Sequence, residues 1–214
     1  MSGYVPLNER AHRAHAKLLA AVGRGQRVLD VGCSSGYLAE PLAARGNTIV
    51  GIELDPEAAR AAEAFCERVL VGDVESMDLP LEPASFDVVL CGDVVEHLRE
   101  PAAALARLRP LLRPGGRLVL STPNVANWAI RASLLAGRWR YTDRGILDRS
   151  HTHLFTRATL AETVERAGYR VERLDFSVPV PGSSDRLDAL AYAVGRLRPG
   201  LFAYQFVLVA QTAP

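Results

Sequence analysis

Three groups of residues have types and spacings that could do chemistry. The first is the segment VLDVGCSSG, Val28–Gly36, where a short apolar run meets Gly32 and Gly36 just before a helical pattern. Glycines there let the backbone approach a ligand closely, and the N–H groups that open the helix are ready donors. Glu53 closes the next apolar run, TIVGIE, seventeen residues beyond Gly36. A carboxylate at that point can accept hydrogen bonds from both hydroxyls of a ribose, so the pair of signals calls for a nucleoside-containing ligand. Asp30 stands just before the loop. A carboxylate in that place repels a pyrophosphate and attracts a cation. The loop is GxxxG, whereas dinucleotide sites use GxGxxG. S-adenosylmethionine (SAM) carries an ammonium and a sulfonium, so Asp30 with Glu53 favours SAM over NAD.

The second group is histidine-rich. His151 and His153 lie in DRSHTHLFT, and Glu96–His97 in DVVEHL. Methyl transfer from a sulfonium is an in-line displacement whose leaving group departs neutral. It needs no general acid, only a nucleophile held about 3 Å from the methyl carbon. A hydroxyl nucleophile gains from a general base, and an imidazole with an ordinary pKa of about 6.5 suits that task, so His151 and His153 are the candidate catalytic residues. A metal site is not expected. It needs a third ligand, which His97 or Asp148 would supply only through a tertiary contact.

The third group is the segment Arg131–Arg157. It holds Arg131, Arg138, Arg140, Arg144, Arg149 and Arg157 against the acids Asp143 and Asp148, with Trp128, Trp139 and Tyr141 nearby. Guanidinium forks suit a carboxylate or phosphate, and aromatic faces suit rings or sugars. Trp128, Trp139, Arg140 and Tyr141 are therefore the candidate acceptor-side residues, for an anionic small molecule, and His97 of the second group is counted with them. A solvated loop in an arginine-biased chain gives the same pattern.

These groups must be held by strands alternating with helices. Apolar runs at Arg27–Val31, Thr48–Glu53, Val69–Val71, Phe86–Cys91 and Arg117–Ser121 read as strands. Between them, helices are expected at Tyr37–Ala44, from Asp55 and Pro56 to about Glu67, and from Pro101 to a stop near Pro110. Gly115-Gly116 reads as the turn into the fifth strand. Beyond Thr122 the rhythm breaks into a helix at Val125–Ala136 and an irregular stretch at Gly137–His153. A helix at Thr156–Ala167 and a strand at Tyr169–Phe176 follow. A Pro-rich link, Val178–Gly182, leads to a helix at Asp185–Arg196 and a last strand at Phe202–Ala210. Asn8–Ala21 reads as an amphipathic helix bearing His12 and His15. The order βαβ predicts an α/β fold with a mostly parallel sheet.

The chain of 214 residues carries 25 Lys+Arg and 24 Asp+Glu, for a formal charge of +1, and Lys17 is its only lysine. At 49% hydrophobic it can bury a full core. Near-neutral charge argues against a dedicated nucleic-acid binder. No stretch approaches the roughly 18 apolar residues of a membrane span, and no signal peptide is evident. Cys33, Cys66 and Cys91 form no CxxC pair, so neither a disulfide framework nor a zinc site is expected. A cytoplasmic protein, monomeric or homodimeric, is the default.

VLDVGCSSG, GIELD, GDVESMDLP, FDVVLCGDVVEHL and LRPGGRLVLSTPN together resemble the class I SAM-dependent methyltransferases, across about Arg27 to Ala210. The resemblance implies a three-layer Rossmann-like fold with a seven-stranded sheet and an antiparallel last strand. It implies one domain over 1–214, with a lid or acceptor insertion at about 123–155. It implies SAM as cofactor and S-adenosylhomocysteine (SAH) as product. Carried onto this chain, the cofactor residues are Asp30, Gly32, Cys33, Gly36, Glu53, Leu54, Asp73, Val74, Cys91 and Asp93. Asp73 and Val74 would meet the adenine, and Cys91 to Asp93 the methionine end. The chain departs from the frequent GxGxG loop by placing Ser34 at the middle glycine.

The resemblance is to the ubiquinone-biosynthesis O-methyltransferase type, which implies O-methylation of a small acceptor in natural-product, sugar or quinone-type biosynthesis. The stretch STPNVANWAIRASLLAGRWRYTD also resembles MetW-type proteins, which share the fold and are associated with homoserine acyltransferases; that alternative is a regulatory partner protein. RNA or protein methylation is disfavoured by the charge balance and by CGDV, which stands where N-methylating relatives carry an Asn-Pro-Pro-Tyr type motif.

Overall fold

The computed structural model describes residues 12–179 and 184–213. In chain order its elements are α1 (Ala14–Val22), β1 (Arg27–Val31), α2 (Ala39–Ala43), β2 (Thr48–Glu53), α3 (Pro56–Ala62), β3 (Arg68–Val71) and β4 (Phe86–Gly92). There follow α4 (Pro101–Leu108), β5 (Leu112–Pro123), α5 (Trp128–Leu135), α6 (Arg157–Arg166), β6 (Tyr169–Ser177), α7 (Asp185–Gly195), α8 (Pro199–Phe202) and β7 (Gln205–Thr212).

The seven strands form one sheet in the order β3-β2-β1-β4-β5-β7-β6. β7 runs antiparallel to both β5 and β6, and the remaining pairs are parallel. The Rossmann-like expectation, with an antiparallel last strand, holds. Both faces of the central strands are buried. Leu29, Val31, Val50, Ile52, Val89, Leu118 and Leu120 face one core with Leu105 and Leu108 of α4 and Leu160 and Val164 of α6. Val28, Ile49, Val88, Leu90, Val119, Val207 and Val209 face the other, with Leu18, Leu19 and Val22 of α1 and Leu38, Ala39 and Leu42 beside them. Burial on both faces is why these strands read as continuous apolar runs without alternation.

The chain leaves β1 toward β2 and β3, then returns to place β4 on the other side of β1. That reversal opens a crevice above the carboxyl ends of β1 and β4, the place where open α/β sheets bind ligands. The site is therefore set by topology before any side chain is considered.

Local chemistry explains most boundaries. Asp55 caps α3 by accepting from the Glu57 N–H at 2.8 Å, with Pro56 at the first position, as expected. α3 stops at Ala62, short of Glu67, because the Glu67 N–H already donates to the Ile49 carbonyl at 2.8 Å at the approach to β3. α2 begins only at Ala39, since the Gly36 N–H is held by the Cys33 carbonyl in the loop. α5 starts at Trp128, capped by the Asn127 side chain accepting from the Ala129 N–H. Gly115-Gly116 lies inside β5, whose register with β4 shifts between Phe86 and Val88. Phe202 ends α8, and β7 begins at Gln205, because the Asn124 and Asn127 side chains both hold the Ala203 carbonyl, each at 2.9 Å. The expected N-terminal helix begins at Ala14, and its residues 8–11 lie outside the described residues. So do residues 180–182 of the Pro-rich link.

Candidate functional site

The glycine loop is clamped to the end of β2. The Gly32 and Cys33 N–H groups donate to the Ile52 carbonyl at 2.8 and 3.1 Å. The Ser34 N–H donates to Glu53 Oε2 at 2.8 Å, and the Asp55 N–H to Glu53 Oε1 at 2.9 Å. Glu53 thus joins loop and strand end, with lone pairs left over for further donors. Gly36 has φ +85°, and a Cβ there would lie 2.8 Å from the Phe65 ring and 3.2 Å from Ala62 Cα, so only glycine fits. Ser34 takes φ +49°, a left-handed conformation that a glycine would adopt without strain.

A cavity of about 430 Å³ lies in the crevice. Gly32, Glu53, Leu54, Asp73, Val74 and Asp93 line it, which brings together six of the ten expected cofactor residues. Asp30, Cys33 and Cys91 are buried beneath it, and Gly36 serves the packing of the loop on α3. His97 lines the same cavity, with Glu75, Leu98 and Arg99, which sequence reasoning did not single out. Arg99 reaches Asp73 at 3.1 Å, and its own N–H donates to Glu75 at 3.1 Å. This strap between the loop after β3 and the loop after β4 has no signature in sequence.

Asp30 is 1% exposed, and its Oδ2 has no hydrogen-bond partner. Burial, with a smaller contribution from Glu53, pushes its carboxyl from 3.8 up to about 7. A carboxyl kept this uncomfortable beneath a cavity gains most from a cation above it.

Asp93 is a hub on the other side of the crevice. It has φ +56°. Its Oδ1 accepts from the Ser121 hydroxyl at 2.7 Å and from the Gln205 side chain, and its N–H donates back to Ser121 Oγ at 3.1 Å. Its charge reaches His15, Glu96, His151 and Tyr204. His15, on α1, meets Tyr37 edge-on at 5.6 Å and is held below its ordinary pKa by burial.

The fold joins two segments that are far apart in sequence. His97 and His151 meet edge-on at 4.9 Å. Ligand atoms of Glu96, His97 and His151 all lie within 4.8 Å of one another, so His97 joins His151 there, with Glu96 and not His153 as the remaining member. The Nδ1 atoms of His97 and His151 contact the Ser150 and Ile146 carbonyls at 3.2 and 3.1 Å, which leaves each Nε2 as the accepting nitrogen. Neither oxygen of the buried Glu96 has a hydrogen-bond partner, and burial followed by Asp93 raises its pKa well above the usual carboxylate range. Burial first, and the nearby His97 among smaller effects, lowers the pKa of His151. His153 is placed differently. Its Nε2 contacts the Arg99 carbonyl at 3.0 Å and its ring stacks on Phe155 at 6.1 Å, the geometry of a strut. The Glu96 signal was present in sequence as half of an EH pair, but its burial was not.

The acceptor-side candidates divide. His97 belongs to the cofactor crevice, whereas Arg138, Arg140, Ser133 and Leu147 line a separate cavity of about 360 Å³. Trp139 and Tyr141 meet edge-on at 6.2 Å and are exposed, and Trp128 stands on α5, none of whose residues is buried. The Ile146 carbonyl ties this segment to His151 and hence to the crevice.

Comparison with known proteins gives consistent results. A family described as a methyltransferase domain matches residues 6–174. The ubiquinone biosynthesis O-methyltransferase of Cereibacter sphaeroides is 33% identical over 187 residues, covering 82% of this chain and 75% of that one. The protein of the same name from Paracidovorax citrulli is 36% identical over 107 residues, 47% of this chain and 45% of that one, so the match spans about half that relative's length. The solved structure of a SAM-dependent methyltransferase from Mesorhizobium loti superposes with a TM-score of 0.64 at 20% identity, over 92% of this chain and 95% of that one.

Proposed function

This chain belongs to the family of SAM-dependent methyltransferases, and we propose that it moves the SAM methyl group to a hydroxyl oxygen of a small anionic acceptor. The crevice itself carries this reading: Glu53, Asp73, Asp93 and His97 line it, and His151 meets His97. Glu53 receives the ribose hydroxyls, Asp73 and Val74 flank the adenine, and Asp93 faces the methionine end. Buried Asp30 offsets the positive charge of SAM from below. His151, whose pKa burial keeps below the ordinary value, is a neutral imidazole near pH 7 and takes the proton of the acceptor hydroxyl as the oxygen attacks. Arg138 and Arg140 receive the anionic group, and Trp128, Trp139 and Tyr141 frame the organic part. The names of the ubiquinone-biosynthesis relatives support oxygen as the methylated atom.

A second reading of the same end follows from the orphaned Glu96 beside two imidazoles with accepting Nε2 atoms. The donor set suits a divalent cation, which would supply Lewis acidity toward the acceptor hydroxyl. His151 is then a ligand, and the hydroxyl loses its proton to solvent or to Asp93.

Calorimetry with SAM and SAH on the wild type and on Glu53→Ala tests the proposal. Binding that is lost in the variant supports the cofactor site and turns the work to screening hydroxylated anionic acceptors. No binding to the wild type overturns the enzyme reading and turns attention to co-purification with an acyltransferase. If Arg138→Ala, Arg140→Ala and Arg144→Ala all leave acceptor KM unchanged, the anionic handle is wrong.

A further inference from the structure

α7 is built inside out. A surface helix of a globular protein turns its apolar stripe to the core and its charges to water. On α7 the inward positions are polar. Asp188 is buried and accepts from Arg13 Nε and Nη2 at 2.9 and 3.1 Å. Tyr192 donates its hydroxyl to Asp175 at 2.9 Å and stacks on Phe176 at 4.8 Å, and Lys17 Nζ stands 4.1 Å over its ring. Gly195 makes room for Phe176, whose ring would lie 2.8 Å from a Cβ there. These contacts fix which face points outward. That face carries Leu187, Leu190 and Val194. Leu197 follows in the next turn, where its N–H donates to the Val194 carbonyl at 3.1 Å. All four side chains are between 45% and 80% exposed.

We propose that α7 is a dimerisation surface whose partner is α7 of a second copy of this chain, packed antiparallel across a two-fold axis. The spacing of the stripe carries the choice of partner. Steps of three, four and three residues from Leu187 to Leu197 are the a/d repeat of paired helices. The same steps form a palindrome about position 192. Reversal there sets Leu187 opposite Leu197 and Leu190 opposite Val194 of the other copy. The stripe therefore complements itself, and a two-fold axis makes every contact twice. Ala191 and Ala193 border the stripe and let the two helix axes approach closely. Charge selects the direction. A parallel pair would stack Arg196 and Arg198 on their own copies. An antiparallel pair sets them at the other end of the partner helix, beside Asp185 and Arg186, and opposes the two helix dipoles.

Sedimentation equilibrium of the full chain, from about 1 to 300 µM, tests the proposal. The stripe is small beside the roughly 800 Å² that each partner buries in a standard interface, so a monomer–dimer equilibrium with a Kd of about 10–100 µM is expected. Leu190→Glu and Leu197→Glu should each raise that Kd by about tenfold or more. As changes to exposed side chains, they should move Tm by no more than about 2 °C. Register is read by crosslinking. Leu190→Cys protein mixed with Val194→Cys protein at about 300 µM and oxidised should give peptides linking 190 to 194 in excess over 190–190 and 194–194, by mass spectrometry. A monomer across the whole range overturns the proposal, as does a dimer whose Kd neither variant changes. An excess of 190–190 links overturns the antiparallel register. A monomer that Leu190→Glu destabilises by many degrees means the face is covered from within the chain, and the proposal falls. Monomeric wild type that binds phosphatidylglycerol vesicles, with binding lost in Leu190→Glu, overturns it in favour of an anionic lipid surface.

Discussion

With SAM seated as proposed, Asp30 should make its binding a proton-releasing event. Its carboxyl is buried and lacks a partner at Oδ2, and burial, followed by the Glu53 charge, pushes its pKa up to about 7. A cation in the crevice above stabilises the carboxylate and draws the pKa back toward 3.8, its ordinary value. Binding at pH 7 should therefore release about half a proton, about one at pH 6 and about a tenth at pH 8. Calorimetry in phosphate and in Tris, whose ionisation enthalpies differ, measures that number directly. The same displacement has a cost in the free protein. Because the folded pKa lies above the unfolded one, the penalty is absent below about pH 4, grows as pH rises and is complete above about 7. A rise from 3.8 to about 7 corresponds to about 4 kcal/mol. Asp30→Asn avoids that penalty but leaves an amide unpartnered, at about 1–3 kcal/mol. The variant should therefore be about 1–3 kcal/mol more stable than wild type at pH 8, with the advantage gone near pH 4. It should also bind SAM more weakly and release no proton. A proton number near zero in wild type at pH 6, or the same number in the variant, would refute this account of Asp30.

Three further outcomes follow from the geometry. Glu53→Gln keeps one acceptor but sets an amide N–H₂ against the Ser34 or Asp55 N–H, so SAH affinity measured by calorimetry should fall about tenfold to a hundredfold. An unchanged affinity would take Glu53 out of ribose recognition. Gly36→Ala combines a left-handed conformation with a Cβ 2.8 Å from Phe65, and should cost about 2–5 kcal/mol in denaturant unfolding. Gly46→Ala, at φ +78° with open space around it, should cost only about 1–2 kcal/mol, and equal losses at the two positions would contradict the packing of the loop on α3. A divalent ion such as Mn²⁺ at a hundredfold excess over its Kd should stabilise wild type by about 2.7 kcal/mol, raising Tm by several degrees, and should leave Glu96→Gln unshifted. Equal Tm values with and without the ion in wild type would favour His151 as a base over a bound cation.

The central strands, the turn at the glycine loop and the cap at Asp55 were legible because each is a local matter. A strand buried on both faces must be apolar throughout, a left-handed turn must be glycine or strained, and a cap must be a short polar side chain beside the first turn. Helix ends were less legible. α3 ends where Glu67 joins the Ile49 carbonyl, and β7 starts where two asparagines hold Ala203, both contacts made with distant chain. The catalytic end was the least legible. Sequence proposed His151 and His153 as equals, and only the fold sets one beside His97 and ties the other to the Arg99 carbonyl. It also buries Glu96 without a partner and clamps Asp93 between Ser121 and Gln205. The sequence by itself determined the fold class and the cofactor class, because backbone conformation and burial are written in neighbouring residues. Only the tertiary structure decided which titratable groups share a low-dielectric space, because pKa and reactivity depend on groups many residues away that the chain reversal at β1 and β4 brings within a few ångströms.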